Sequence, residues 1–243
     1  MAKKINVIKH GGSSELYDRQ KVLQSILRSQ VNDHQAQEIL SRVEKRLHDG
    51  ISTKSLYQIV NREIVRQDLP HCSDLYRLRE AVATMDSIDF EKFVKEILTK
   101  EGFEAQWNLI LNGLCIDHQI DVVAKNKNGQ VYYVEVKHHR HYHRDTGLGT
   151  VIELWGRYKD LMDGYHKSRQ PYDFASAWLI TNTKFSRHAK KFSACKNLRL
   201  TGWHYFLKEK GQESKNGLEK EFESLGVDQV SLLVKKVIEG SLS

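Results

Sequence analysis

Proline is nearly absent from this sequence, with two in 243 residues, and cysteine is scarce, with three. Cys72, Cys115 and Cys195 are odd in number and unpaired by spacing. That argues against a disulfide framework or a cysteine-rich zinc module, and a reducing cytoplasm is the expected setting. No apolar run approaches the roughly 20 residues of a bilayer span, so an integral membrane protein is not expected. The start, Met1-Ala2-Lys3-Lys4-Ile5, lacks the apolar core of a signal peptide. Internal repeats and low-complexity tracts are missing too. What is present is 40% hydrophobic residues, enough for a packed core. The length suits one large domain or two small ones at roughly 100–200 residues each.

The net charge is +7. It is spread over both halves, with 14 Lys and Arg against 11 Asp and Glu in residues 1–88 and 24 against 20 in residues 89–243. Such an excess fits attraction to a polyanion. Between Phe174 and Lys208 there is no acid, and the stretch holds Lys184, Arg187, Lys190, Lys191, Lys196 and Arg199. A phosphate-contacting face and an ordinary solvated helix face share this composition.

Punctuation divides the chain near residue 87. Residues 5–9 read as a short strand, Gly11-Gly12-Ser13-Ser14 as a turn and 15–17 as the return strand. Asp18 is placed to cap a helix through Val22, Leu23, Ile26 and Leu27. A second helix carries Ile39, Leu40, Val43 and Leu47 to a stop at Asp49-Gly50. A third runs from about Ser52, and a fourth surrounds Leu75, Leu78, Val82 and Met85. The pattern then changes. Ser87 or Asp89 caps a helix bearing Phe90, Phe93, Val94, Ile97 and Leu98, which Gly102 ends. Strands are expected at about 105–111, 116–124, 131–137, 175–181 and 198–201, with helices at about 151–167 and 186–195. This is an α/β fold: a small, mostly helical domain over 1–86, then a domain with a central mixed sheet over 87–243. Residues 204–243 form a C-terminal helical extension, with short helices at 218–225 and 230–238.

The strongest chemical signal is Asp121 with Glu135 and Lys137. Positions i and i+2 of a strand share a face, so Glu135 and Lys137 point one way while Val134 and Val136 enter the core. An isolated Glu-x-Lys is commonly a surface ion pair. Here the preceding Val131-Tyr132-Tyr133-Val134 is too apolar for a surface edge, and Asp121 lies in a second apolar strand, Ile120-Asp121-Val122-Val123-Ala124. Register decides whether the acids meet. A three-residue loop over 127–129 sets Asp121 opposite Glu135, whereas a two-residue loop sets it opposite Val136. Asn128-Gly129 suits the longer loop, because glycine takes the left-handed position it needs. Two adjoining carboxylates call for a hard cation, Mg²⁺ or Mn²⁺. Such an ion orients a phosphodiester, acidifies a water and neutralises charge, and Lys137 beside it stabilises the phosphate. Glu91 sits one position off the apolar stripe of its helix, at the rim of the sheet. A first-turn Glu favoured by the helix dipole has the same placement.

Phe90-Glu91, Asp117-His118-Gln119-Ile120-Asp121 and Val134-Glu135-Val136-Lys137 together resemble the PD-(D/E)xK nuclease superfamily, and within it the Mrr-type restriction endonuclease domain. Leu179-Ile180-Thr181-Asn182-Thr183-Lys184-Phe185-Ser186 resembles a further segment of that family, and the likeness covers about 87–203. It implies Asp121 and Glu135 as metal ligands, Lys137 as the catalytic lysine, Glu91 as an auxiliary acid and Asp117 as a structural acid. Gln119 stands where the family has glycine. It also implies DNA as substrate, a 5′-phosphate product and a homodimer or larger assembly. The first 86 residues resemble the ATP-cone, through Val7-Ile8-Lys9-His10-Gly11-Gly12, Tyr17-Asp18, Lys21-Val22 and Tyr76-Arg77-Leu78-Arg79. This implies ATP or dATP as effector, held around Val7, Lys9, His10 and Lys21. His10 and Gly11 replace an arginine and an aspartate of the family pattern. No P-loop is present, so ATP hydrolysis is not implied.

The tract from His138 to Arg144 carries four histidines, of which His139 is expected in a phosphate-contacting loop; a zinc site there lacks a fourth ligand. Cys115 near His118 has nothing to orient it as a nucleophile. Trp155, Tyr158 and Tyr165 fit a core-facing helix. Two functional classes stay open on sequence alone. One is a metal-dependent endonuclease, of restriction or junction-processing type, gated by nucleotide. The other is a non-catalytic nucleotide-responsive DNA-binding protein on a nuclease scaffold.

Overall fold

The structure, a computed structural model, describes residues 5–9, 12–68, 70–203, 205–207 and 213–214. Contacts separate it into two units, dividing between Glu80 and Ala81.

In the first unit β1 (Asn6–Ile8) pairs antiparallel with β2 (Ser14–Leu16) and parallel with β3 (Ile51–Ser52), in the order β2-β1-β3. α1 (Arg19–Leu27) starts where Asp18 accepts the amides of Gln20 and Lys21. α2 (Asp33–Glu44) and α3 (Thr53–Arg66) follow, capped by Asn32 and Ser52. α2 ends six residues before Gly50, earlier than the apolar spacing suggests. Gly50 instead turns the chain, at φ 75°, into β3, a strand too short to leave a periodic signal. Val7, Ile26, Ile39, Leu40, Val43, Ile51, Val60 and Ile64 share one core. Each fully buried aliphatic side chain there contributes roughly 1.5–3 kcal/mol. α4 (Pro70–Thr84) begins in this unit and ends in the next.

The second unit opens with α5 (Ser87–Lys100). Its cap is Asp86 rather than Ser87 or Asp89, because the Asp86 carboxylate accepts the Ile88 amide at 2.9 Å. β4 (Glu104–Asn112), β5 (Asp117–Lys125), β6 (Val131–Lys137), β7 (Asp145–Thr146), α6 (Leu148–His166), β8 (Phe174–Thr181), β9 (Lys184–Phe185), α7 (Arg187–Lys196), β10 (Arg199–Gly202), β11 (Tyr205–Leu207) and β12 (Glu213–Ser214) follow in order. The main sheet runs β12-β11-β10-β8-β6-β5-β4. β4, β5 and β6 are antiparallel neighbours, β6, β8 and β10 are parallel, and β11 and β12 are antiparallel again, so the sheet is mixed as expected. β11 and β12 were not foreseen, and the helices expected at 218–225 and 230–238 lie outside the described residues. Under α6 and α7 a core gathers Val123, Tyr133, Leu154, Leu161, Leu179 and Leu198, with Trp155 and Tyr158 packed against it. Arg199, counted above with the phosphate-facing basic residues, is a correction. Its side chain is buried, 8% exposed, with the guanidinium 4.0 Å from the Trp178 ring and 4.5 Å from that of Tyr132. The aromatic strand faces of β6 and β8 offered a better seat than solvent.

Two local features place the site. The first is the β5–β6 hairpin. Val122 pairs with Val134 and Lys125 with Val131, and the loop closes by Asn126 N to Gln130 O at 2.9 Å. Three residues, 127–129, are left at the tip, with Gly129 at φ 80°. This is the register that carries Asp121 opposite Glu135. The second is a break in alternation. On β4, Asn108 lies at φ 56°, a left-handed conformation inside a strand and directly opposite Asp121 in the β4–β5 register. Trp107 on one side of it reaches Glu91 on α5, whereas Leu109 on the other joins the core under α6. Residues two apart in a regular strand would share a face. On β5, Ile120 and Val123 both enter that α6 core although they are three apart. Both strands therefore change face at the Asn108–Asp121 step.

Candidate active site

Asp121 sits just past the end of the β5–β6 ladder and at the one step that the β4–β5 ladder skips. Its Oδ2 accepts the Val136 amide at 2.8 Å, taking over a bond that a backbone carbonyl would otherwise make. Glu135, across the hairpin, is held through Oε2 by the Tyr133 hydroxyl at 2.7 Å and by Arg157 on α6 at 3.4 Å. Burial pushes the Tyr133 phenol well above its ordinary pKa, so it stays protonated and donates. Arg157 is anchored in turn by Glu153 at 3.1 Å, one helical turn away. Asp121 Oδ1 and Glu135 Oε1 have no hydrogen-bond partner among the described residues. Each carboxylate thus commits one oxygen to the protein and keeps the other.

Electrostatics follow from this crowding. Burial pushes the Asp121 carboxyl up to about 6, against the pull of the Val136 amide, and the charge of Glu91 raises it further. Burial pushes Glu135 up to about 7, with the Asp121 charge adding to it. Glu91 is raised as well, by burial first and then by Glu135, while Trp107 Nε1 donates to its Oε2 at 3.2 Å. Three carboxyl groups therefore feel one another. Lys137, next on the β6 face, is exposed and makes no ion pair among the described residues. Its charge is near enough to Asp121 to oppose the rise in that group's pKa.

An implied metal fits this donor set. Two half-buried carboxylates crowded together, each with an uncommitted oxygen and only partly balanced by Arg157, are hard ligands in the environment that Mg²⁺ or Mn²⁺ would relieve. No group of three or more Asp, Glu, His or Cys residues in metal-binding geometry occurs among the described residues. Mg²⁺ typically uses one or two carboxylates and fills its octahedron with water and phosphate oxygens, so two suffice.

The remaining sequence candidates scatter. Lys184, Arg187 and Lys191 are exposed and Lys190 is half-buried, on β9 and α7. His139 is in the loop after β6, half-buried, with Nε2 3.1 Å from Thr146 Oγ1; its amide and carbonyl are both taken by the Asn182 side chain, at 2.9 and 2.8 Å. Asp117 accepts from Asn112 Nδ2 at 2.7 Å at the far end of the β4–β5 hairpin. Gln119 donates to Asn108 Oδ1 at 2.8 Å. Cys115 is exposed, and the neighbouring Asp160 carboxylate raises its thiol pKa, which works against a thiolate there. In the first unit Lys9 and Lys21 both pair with Glu15, at 2.5 and 3.6 Å, and Val7 is buried on β1. His10 lies outside the described residues. Sequence reasoning missed Tyr133, Arg157 and Asn108. Tyr133 shares the Glu135 face by simple i−2 spacing and was legible; the other two depend on helix placement and on a strand defect.

Comparison with known proteins agrees with the order of the two units. Residues 5–82 match the ATP cone domain, and residues 82–205, just over half the chain, match the restriction endonuclease model of the Mrr catalytic type. An uncharacterized protein of Archaeoglobus fulgidus is 34% identical over 137 residues, which is 56% of this chain and 69% of the relative. The crystal structure of a protein of unknown function, AF1548, covers 64% of this chain and all of its own at 28% identity, with a TM-score of 0.49. This chain belongs to the Mrr-type restriction endonuclease family, with an ATP-cone domain preceding the catalytic domain.

Proposed function

We propose that the protein is a divalent-metal-dependent DNA endonuclease whose activity responds to adenine nucleotide. The observation that carries this is the Asp121–Glu135 pair, half-buried and crowded, with one uncommitted oxygen on each carboxylate and the Lys137 ammonium alongside making no ion pair among the described residues. A bound Mg²⁺ or Mn²⁺ supplies charge neutralisation and an acidified water. Asp121 and Glu135 would hold it. The Val136 amide and the Tyr133 hydroxyl orient these carboxylates through their other oxygens. Arg157 balances Glu135 before any metal arrives. Lys137 donates to phosphate oxygens as negative charge grows on them. Glu91 adds negative potential at the same place. Lys184, Arg187, Lys190 and Lys191, with the His139 loop, would contact the DNA backbone, a source of affinity rather than of sequence choice.

In the first unit, nucleotide phosphates would take Lys9 and Lys21 from Glu15, with Val7 and His10 completing the site. Cleavage of both strands calls for two active sites, hence a homodimer or larger assembly. A binding-only role would leave the crowding of two half-buried carboxylates unexplained.

Plasmid nicking in Mg²⁺, in Mn²⁺ and in EDTA, with and without ATP, tests this directly. Nicking in either metal, none in EDTA, and loss in Asp121→Ala and in Lys137→Ala with DNA retention intact is expected. Cutting that survives both substitutions contradicts it.

A further inference from the structure

The carbonyls in the last turn of a helix have no intrahelical donor. In α4 one of them, Val82 O, is met from outside the helix. His138 Nε2 lies 2.9 Å from it, and since a carbonyl only accepts, the imidazole donates. His138 is the residue after Lys137. Burial lowers its pKa, and donation to a carbonyl requires a proton on Nε2. The same ring lies against Phe90, centroids 5.2 Å apart, and Phe90 is fully buried on α5 beside Glu91. One imidazole, on the residue that follows Lys137, thus meets both the end of α4 and the residue next to Glu91. Downstream, the Asn182 side chain grips both backbone groups of His139, prolonging the β6–β8 pairing by one step past Lys137 and Thr181. The chain carrying Lys137 is therefore anchored at its far end to β8 and, through His138, to α4.

From this geometry we infer that His138 is a positioning residue for Lys137, and that the hydrogen bond from its Nε2 to Val82 O carries changes at the end of α4 to the catalytic lysine. α4 begins in the ATP-cone unit, at Pro70, and ends at Thr84 in the catalytic unit, so it is the covalent path out of the nucleotide-binding region. This inference rests on the proposed nuclease function and on its response to nucleotide. Two discrete arrangements of one hydrogen-bonded contact are the physical basis for such coupling.

Two substitutions separate donor from ring. His138→Phe keeps an aromatic against Phe90 and removes the donor. His138→Gln keeps an N–H able to reach Val82 O. On the full chain, His138→Phe should lower kcat about tenfold or more, the scale of a small misplacement of a catalytic group. KM for DNA should change less than about twofold, and the effect of ATP on kcat should vanish. His138→Gln should restore both. Wild-type kcat and ATP response in His138→Phe overturns the inference, as does His138→Gln behaving like His138→Phe. Amide exchange over 131–139 gives a readout without cleavage. ATP should alter it in the wild type and in His138→Gln, and not in His138→Phe; a wild-type segment indifferent to ATP overturns the linkage. If no form of the protein cuts DNA and the exchange response is present, the nuclease reading fails while the linkage stands.

Discussion

The two units treat charge in opposite ways. In the ATP-cone unit three acids among the described residues are paired with bases. Glu15 holds Lys9 and Lys21, Glu44 holds Arg19, and the buried Glu63 holds Arg46 and Arg66, each at 2.9 Å. In the catalytic unit Glu91, Asp121 and Glu135 crowd one another, their pKa values all raised, with Arg157 as a partial counterweight. The first arrangement pairs acid with base, although both arginines meet Oε1 of Glu63 and leave its Oε2 without a hydrogen-bond partner among the described residues. The second stores unfavourable electrostatics that a cation would relieve, which is how a fold can be read for chemistry before a ligand is seen.

The contrast can be broken most severely at Asp121. Asp121→Ala should cut the cleavage rate by about 10³-fold or more, the scale of removing a group that stabilises transition-state charge, as read by plasmid relaxation in Mg²⁺. In the other unit the largest effect is on folding. Glu63→Ala removes the shared partner of Arg46 and Arg66 and should cost about 1–3 kcal/mol, measured by denaturant unfolding, with Asp121, Glu135 and Lys137 untouched.

The pH response sharpens the difference further. Asp121 and Glu135 have folded pKa values above their ordinary ones, so the folded state binds protons more tightly than the unfolded. Their contribution to stability is present below about pH 4 and is lost as pH rises through about 6 to 7. A cation competes with those protons. The Mg²⁺-induced rise in Tm should therefore be small at pH 5, grow to pH 8, and disappear in an Asp121→Asn, Glu135→Gln double variant. A Tm shift independent of pH would contradict this. The smallest effect is at Asn108. Asn108→Gly keeps the left-handed backbone and should leave cleavage nearly unchanged. Asn108→Val should cost about 1–2 kcal/mol of stability, because a branched side chain opposes that conformation, and should slow cleavage by displacing Asp121.

Much of this was legible in the residues. The Asp121–Glu135 register follows from one loop length, which Gly129 makes feasible, and Asp18 and Ser52 announce their helices by capping chemistry. What escaped has physical reasons. β3 and β7 are two residues long, below any period. The α5 cap falls on Asp86 rather than Ser87 or Asp89 because several polar residues compete there. Arg199 reads as a surface cation until β6 and β8 bring Tyr132 and Trp178 beneath it. Arg157 and Asn108 acquire meaning only when α6 and β4 are set against the hairpin, a matter of tertiary packing that no local pattern encodes.

The most direct test of the central claim is uptake of Mn²⁺ at pH 7.5, without DNA, followed by the paramagnetic signal of the free ion. Wild type should bind the ion, and Asp121→Asn and Glu135→Gln should each lose most of that binding while keeping their fold. Equal uptake by all three proteins, or none by the wild type, would show that these carboxylates are not a metal site.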